Sequence, residues 1–373
     1  MKILSVFGTR PEAIKMAPVI KELRKHPECF TPIACVTAQH RQMLDQVLNL
    51  FEIIPDRDLN IMKPSQSLSD ITCNAMQGLM PVILEAEPDM VLVQGDTTTT
   101  MAAALAAYYC KTKVGHIEAG LRTGGKYAPF PEEINRKVVS AIADVHFAPT
   151  FSARGNLLQE GVPDDIIHVT GNTVVDALLF VSKTIDGDEA LSRQLDEVFS
   201  FIDEKRKMIL VTGHRRESFG EGFENICGAL AGIAKTRPDV QILYPVHLNP
   251  NVQQPVKRIL NGIRNIFLIP PVDYLPFVYL MRRSYLIMTD SGGIQEEAPS
   301  LRKPVIVMRD STERPEAVAE GAAKLVGTDP GKIINQTLAL LDDESEYKGM
   351  SLARNPYGDG NAARRIAGVL STL

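Results

Sequence analysis

Tyr285-Leu286-Ile287-Met288-Thr289-Asp290-Ser291-Gly292-Gly293-Ile294-Gln295-Glu296-Glu297-Ala298 is the stretch on which the fold turns. Its opening residues form an apolar run of strand length, and two glycines separate that run from a helix-forming segment. Ser291-Gly292-Gly293 lets the backbone approach a phosphate and presents N–H groups at the helix start. Glu297, about one turn in, is placed to accept hydrogen bonds from both hydroxyls of a ribose. Glu296 points elsewhere and reads as structural. A strand, a Gly-Gly turn, a helix and a carboxylate in this order are typical of nucleotide-sugar binding by a Rossmann-like domain.

The same alternation continues on both sides. Residues 208–212, 241–244, 266–269 and 305–308 read as further strands of the second half. In the first half the runs 3–7, 33–36, 90–93, 114–117, 145–147 and 167–169 do the same, with helical patterns between them. That is the pattern of βαβ units and a parallel sheet. After 167–169, Gly171-Asn172-Thr173 opens a short helix. Residues 182–207 are charged, weakly periodic and strand-free, and read as a linker with one surface helix. The last stretch is helical from about Gly331, breaks at Asn355-Pro356-Tyr357-Gly358 and ends in a helix from Asn361. The expected architecture is α/β, with two Rossmann-like domains, 1–181 and 182–360, facing each other across a cleft.

Composition supports this reading. The chain has 373 residues, of which 45% are hydrophobic, enough for two cores. The absence of tryptophan implies aliphatic cores of the kind found in parallel sheets. A net charge of −5 argues against a general nucleic-acid or acidic-membrane surface, so any anionic ligand has to be met by local cations. Five widely spaced cysteines without a CxxC pair read as reduced thiols rather than disulfides or zinc ligands. The first apolar run ends at Gly8-Thr9-Arg10, too early for a secretion signal, and the longest uncharged apolar run, 101–110, is about half a membrane span. A cytoplasmic protein without membrane or nucleic-acid partners is expected.

Ligands of such sheets sit beyond the carboxyl ends of the strands, so polar residues there carry the argument. Gly8-Thr9-Arg10-Pro11-Glu12 follows the first strand and starts a helix at Pro11. Arg10 reads either as a bidentate phosphate clamp or as a solvated turn residue, and Lys15 follows in the first turns. No GxGxxG fingerprint is present, so no dinucleotide cofactor is expected. Asp96 in QGDTTTT, Glu118 in GHIEAGLR and Glu132 in PFPEEINR lie at or near strand ends, where carboxyls in different environments divide acid and base roles. Asp96 also reads as a helix cap, and Glu132 and Glu133 as acids favoured at a helix start. Glu118 interrupts an apolar strand end, where a charge has no structural reason to sit. Arg136 is expected to orient Glu132 through an i,i+4 pair. Thr212-Gly213-His214-Arg215-Arg216 reads as a diphosphate site, with Arg309 and Arg314 following another strand. His40, His116 and His247 lie near strand ends without acids at ligand spacing, so no metal is expected.

With these residues in hand, the chain resembles the bacterial non-hydrolysing UDP-N-acetylglucosamine 2-epimerases over essentially its whole length. The matching segments, in order, are FGTRPEAIKMAP, TAQHRQMLDQVL, GDTTTT, GHIEAGLRTG, PEEINR, TGNTVVDAL, TGHRRESFG, YPVHLNPNV, TDSGGIQEEAP and RDSTERPEA. The resemblance implies the glycosyltransferase-B type of fold, with the last helix, 361–373, crossing back to the first domain. It implies UDP contacts from Arg10, His214, Ser291, Gly292, Gly293 and Glu297, with Phe277 near the uracil. Lys15 and Arg314 match ligand-contacting positions, and Val272 matches a backbone contact. Asp96, Glu118 and Glu132 match the family's essential acids, and His214 is counted with them as catalytic.

The implied reaction removes the C2 proton while UDP leaves C1, giving 2-acetamidoglucal, and then re-adds UDP with protonation of the other face. UDP-N-acetylmannosamine results, without a redox cofactor, as a precursor of cell-envelope polysaccharide. Glu118 and Glu132 are assigned the proton transfers and Asp96 an orienting role; which acid abstracts and which returns the proton does not follow from sequence. A homodimer is implied too. In some members a second substrate molecule binds as activator, and Gln39, His40 and Gln42 match that pattern, whereas a completing arginine is replaced near Ser65. Three rivals stay open: a hydrolysing epimerase, a retaining glycosyltransferase of the same fold, and a nucleotide-sugar-binding regulator.

Overall fold

The computed structural model describes residues 1–38, 41–61, 63, 66–127 and 129–373, with the backbone alone at Arg41 and Gln42. The chain forms two compact units, Met1–Ala177 with Tyr357–Leu373, and Leu178–Pro356. Among the described residues no helix is long and apolar enough to cross a membrane.

The first unit is built on seven strands: β1 (Lys2–Phe7), β2 (Thr31–Val36), β3 (Arg57–Asp58), β4 (Met90–Gln94), β5 (Lys113–Ile117), β6 (Val145–Ala148) and β7 (Ile167–Val169). They pair in the order β3-β2-β1-β4-β5-β6-β7, each neighbour parallel. β4 is buried along its whole length, as expected of a central strand covered on both faces. The order reverses between β1 and β4, so the loops after these two strands flank the topological switch point, where ligands of doubly wound sheets bind.

The second unit repeats the plan with six strands: β8 (Met208–Thr212), β9 (Gln241–Pro245), β10 (Ile266–Ile269), β11 (Leu286–Thr289), β12 (Val305–Val307) and β13 (Ala323–Leu325). Their order is β10-β9-β8-β11-β12-β13, again all parallel. The switch point falls between β8 and β11. The core is aliphatic, with Ile209, Val211, Leu230, Ile242 and Met288 fully buried around Phe223 and Tyr244.

Two parts differ from the sequence reading. The short helix expected after residue 171 is the fifteen-residue Thr173–Gly187, which runs past the expected linker start at 182; the one surface helix expected in 182–207 is present as Glu189–Val198. Val174, Val175, Leu178, Val181 and Ile185 are all buried, so the apolar stripe runs on past residue 182 and carries the helix with it. β3 and β13 were not anticipated: two or three residues at a sheet edge, polar or with one lysine, carry too little pattern to read. The strand expected at 285–288 spans Leu286–Thr289.

The C-terminal helix Ala362–Leu370 belongs to the first unit and packs on the helix Arg10–Arg24. It buries Ile366 and Leu370, a contribution of about 1.5–3 kcal/mol each. Its first N–H groups, at Ala362 and Ala363, donate to Asp176 at 3.2 and 2.9 Å, a helix cap supplied from a distant part of the chain. Burial pushes the Asp176 carboxyl up to about 6 despite these two donors.

Candidate functional site

In the first unit, the loop after β1 opens the helix Arg10–Arg24. Thr9 is its N-cap, accepting from Glu12 N, and the Glu12 carboxylate accepts from Thr9 N at 2.7 Å, which completes a capping box. Glu12 also accepts from Gly8 N at 3.0 Å, Thr97 Oγ1 at 2.6 Å and Thr100 Oγ1 at 3.0 Å. Burial raises its pKa against these four donors. One carboxylate thereby ties the Arg10 loop to the Asp96 loop across the switch point. Gly8 is obligatory here: a β-carbon would lie 2.1 Å from Thr37 Oγ1 and 2.7 Å from Thr99 Oγ1.

Asp96 follows β4, and the N-cap of the next helix is Thr97, not Asp96. The Asp96 carboxylate pairs instead with Arg136, and its carbonyl accepts from Asn135 Nδ2 at 2.8 Å. Arg136 was expected to orient Glu132. Its guanidinium goes to Asp96 and, at 3.0 Å, to the buried Glu133, because i,i+3 geometry and the approach of the β4 loop favour those partners. Glu133 also accepts from Thr123 N and Gly124 N, both at 3.2 Å, so it anchors the loop before the helix Glu132–Ile142. Glu132 is the first residue of that helix and half-buried. Arg136, one turn along this helix from Glu132, is thus the residue that meets Asp96.

Glu118 follows β5 with φ 64°, the left-handed region, which costs a residue with a β-carbon roughly 1 kcal/mol. Only 8% of it is exposed. Its Oε2 accepts from Lys15 Nζ and, at 2.8 Å, from Asn172 Nδ2. Lys15 is buried and serves as the counter-ion of Glu118. Beneath the site, His116 donates from Nε2 to Gly95 O at 2.8 Å, and its ring meets that of His146 edge-on. Burial holds the two imidazoles at about 3 and about 4, well below the usual histidine value, so both are neutral near neutral pH.

In the second unit, the loops after β8 and β11 meet at the switch point. Asp290 is fully buried and its Oδ2 accepts from His214 N at 2.6 Å and Arg215 N at 2.7 Å. His214 Nδ1 lies 3.4 Å from Asp290 Oδ1, and its ring stacks on His247 with centroids 5.5 Å apart. Glu313 sits among three guanidiniums: Arg309 at 2.8 Å, Arg314 at 3.1 Å and Arg215 at 3.3 Å. Burial pushes the Glu313 carboxyl up, but Arg314, Arg309 and Arg215 together outweigh it and hold it at about 2. Arg314 is further fixed by the buried Glu296 at 2.8 Å, which gives that acid its structural role. Gly292 packs over this cluster, where a β-carbon would lie 2.9 Å from Glu313 Oε1.

Ser291 and Gly293 are half-buried at the start of the helix Gly292–Glu297. Glu297 accepts from Tyr274 OH at 2.5 Å, and this buried contact with a carboxylate raises the phenol well above its usual pKa, with burial the larger cause. Phe277 lies half-buried on the helix Tyr274–Arg283, and Val272 half-buried in the loop before it. Gln39 and His40 lie outside the described residues, as does the side chain of Gln42.

Sequence reasoning passed over Glu12, Asn172, Tyr274 and Asp290, and placed Glu313 in a motif without a role. Thr9-x-x-Glu12 carried a legible signal, the capping box. Asn172, Tyr274 and Asp290 act across sequence separations that no local pattern encodes, whereas Glu313 has Arg309 and Arg314 as near neighbours and only Arg215 far away.

A family model described as UDP-N-acetylglucosamine 2-epimerase matches residues 21–371. The UDP-N-acetylglucosamine 2-epimerase of Escherichia coli K12 is 60% identical over 366 residues, covering 98% of this chain and 97% of that protein. The crystal structure of UDP-GlcNAc 2-epimerase from Neisseria meningitidis bound to UDP-GlcNAc superposes with a TM-score of 0.96 at 53% identity, covering 100% of both chains. That of the Methanocaldococcus jannaschii enzyme in complex with UDP-GlcNAc and UDP gives 0.85 at 34% identity, again over 100% of both. The chain belongs to the UDP-N-acetylglucosamine 2-epimerase family.

Proposed function

We propose that this chain interconverts UDP-N-acetylglucosamine and UDP-N-acetylmannosamine by eliminating UDP to 2-acetamidoglucal and adding it back. The observation that carries the reading is a pair of carboxylates at the carboxyl edge of one sheet, each gripped by its own cation, Asp96 by Arg136 and Glu118 by Lys15. A carboxylate takes the C2 proton, the C–H electrons form the C1–C2 double bond, and the C1–O bond breaks with its electrons leaving on the β-phosphate. The bond re-forms as a proton reaches the opposite face of C2. Glu118 and Glu132 carry the transfers, and Asp96, fixed by Arg136, orients the sugar. No electron is gained or lost overall, so no redox cofactor is needed.

The nucleotide falls to the second unit. Arg314 with Ser291, Gly292 and Gly293 would bind the diphosphate, His214 its sugar-side oxygen, Glu297 the ribose, and Phe277 with the Val272 backbone the uracil. Arg10 is proposed as a further phosphate-binding cation on family resemblance alone. Fixed cations stabilise the departing diphosphate without reorganising and retain it between the two half-reactions. Loss of UDP at that stage would turn epimerisation into hydrolysis. Domains near 1–181 and 182–360 and a cytoplasmic location belong to the same proposal on sequence pattern and composition, and a homodimer, supply of a cell-envelope polysaccharide precursor, and activation through Gln39, His40 and Gln42 on family resemblance.

Purified protein incubated with UDP-N-acetylglucosamine in D₂O, followed by proton and phosphorus NMR, tests it. Deuterium at C2 of both epimers with the diphosphate ester intact is expected. Accumulating free UDP and N-acetylmannosamine would make the enzyme hydrolytic, and an unchanged spectrum would overturn the reading.

A further inference from the structure

Glu118 adopts a backbone conformation its residue type disfavours, with φ 64°, so the direction of its side chain depends on what grips it. Lys15 and Asn172 both bind Oε2, while Oε1 lies over Gly95, where an added β-carbon would be 3.7 Å away, beside Asp96. Asn172 is 2% exposed and fixed at every polar group. Its Oδ1 accepts from Val174 N at 3.1 Å, its carbonyl from Val175 N at 3.1 Å, and its N–H donates to Tyr357 O at 2.6 Å. The Val174 bond settles the amide's orientation: a flipped amide would lose it and turn an oxygen toward a carboxylate. Tyr357 is fully buried and begins the return of the chain to the first unit, which Asp176 then caps.

We propose that Asn172 is a positioning residue for Glu118 in the proton transfer at C2, itself held in register by the returning C-terminal segment through the Tyr357 carbonyl. This rests on the functional reading above. The amide selects which carboxylate oxygen faces the Asp96 loop and, by donating to the anion, favours its charged form.

The other titratable groups on the elements packed around Glu118 are Glu12 and Lys15 on the helix Arg10–Arg24, Asp96 after β4, His116 on β5, His146 on β6 and Asp176 on the helix Thr173–Gly187. Both imidazoles are neutral above about 4, and Asp176 titrates near 6. Asp176→Asn is therefore the control for any change in that range.

The test compares Asn172→Ala and Asn172→Asp in the full chain. Asn172→Asp keeps the acceptor to Val174 and the backbone bond to Tyr357 but loses the donor. The acidic limb of the kcat/KM profile is expected to move up by about one pH unit in Asn172→Ala and further in Asn172→Asp, where a like charge is added. The UDP dissociation constant should stay at the wild-type value, while Asp176→Asn leaves that limb displaced in neither direction. Unmoved limbs in both Asn172 variants, or a rate loss that only tracks lowered Tm and weakened UDP binding, would overturn the proposal. If wild-type protein does not turn over UDP-N-acetylglucosamine, the functional reading falls separately. The contact is then read from the carboxyl titration of Glu118 by carbon NMR, where an unchanged midpoint in Asn172→Ala overturns it.

Discussion

Replacing Glu313 by glutamine keeps the shape of the side chain and removes the charge that three arginines share. The carboxyl lies at about 2 against a usual 4.5, even though burial works in the opposite direction. At ~1.4 kcal/mol per pH unit, that difference corresponds to roughly 3 kcal/mol of folding free energy. The sign follows from proton counting. The folded-state pKa is depressed, so the unfolded chain binds more protons between the two values. The stabilisation is present above about 4.5 and is lost as pH falls toward about 2. Glu313→Gln should therefore lower the stability of the second unit by about 3 kcal/mol near neutral pH. Arg215, Arg309 and Arg314 would then face one another without the buried anion that neutralises them. Urea titration followed by hydrogen exchange at the β12 amides, Val305–Val307, reads this unit separately. The gap between wild type and variant should narrow as pH falls through the same window. A loss under about 1 kcal/mol at neutral pH, or a gap independent of pH, would refute the reasoning.

Three further outcomes are expected. Arg136→Met removes the cation that fixes Asp96 and should lower kcat roughly 100-fold with UDP binding held within about twofold, by steady-state kinetics and calorimetry; an unchanged kcat would show that Asp96 needs no fixing. Gly292→Ala forces a β-carbon to 2.9 Å from Glu313 Oε1 and 3.3 Å from the Arg314 guanidinium, and should weaken UDP binding about tenfold in calorimetry. Neutral burial of His116 and His146, at about 3 and about 4, means that stability of the first unit is full above about 6.5 and falls as acid is added through those values. His146→Asn should flatten that acid slope in urea midpoints measured across the range, and an equally steep slope would exclude the pair as its source.

The sequence by itself determined the class of fold and the loops that matter. Runs such as 90–93 and 208–212 announce buried parallel strands because a central strand covered on both faces is apolar throughout, and this needs no knowledge of neighbours. Gly-Gly after β11, and lone acids or arginines where an apolar run stops, mark strand ends because charge there has no packing purpose. The edge strands β3 and β13 escaped, since half-exposed segments of two or three residues lack that pressure. Helix Thr173–Gly187 was shortened because a charge-rich surface masked the buried stripe beneath it.

What only the tertiary structure decided is who holds whom. Asp96 reads locally as a helix cap and Arg136 as a partner of Glu132, yet the fold lays the β4 loop against the helix Glu132–Ile142 and pairs the two with each other. Lys15 lies 103 residues from Glu118, Asp290 lies 76 from His214, and Asp176 caps a helix 187 positions away. Ion pairs and caps fall off within a few ångströms, so their energy depends on positions fixed by sheet order and helix packing. A sequence records which charges exist at the strand ends; the switch points of the two sheets settle which of them meet.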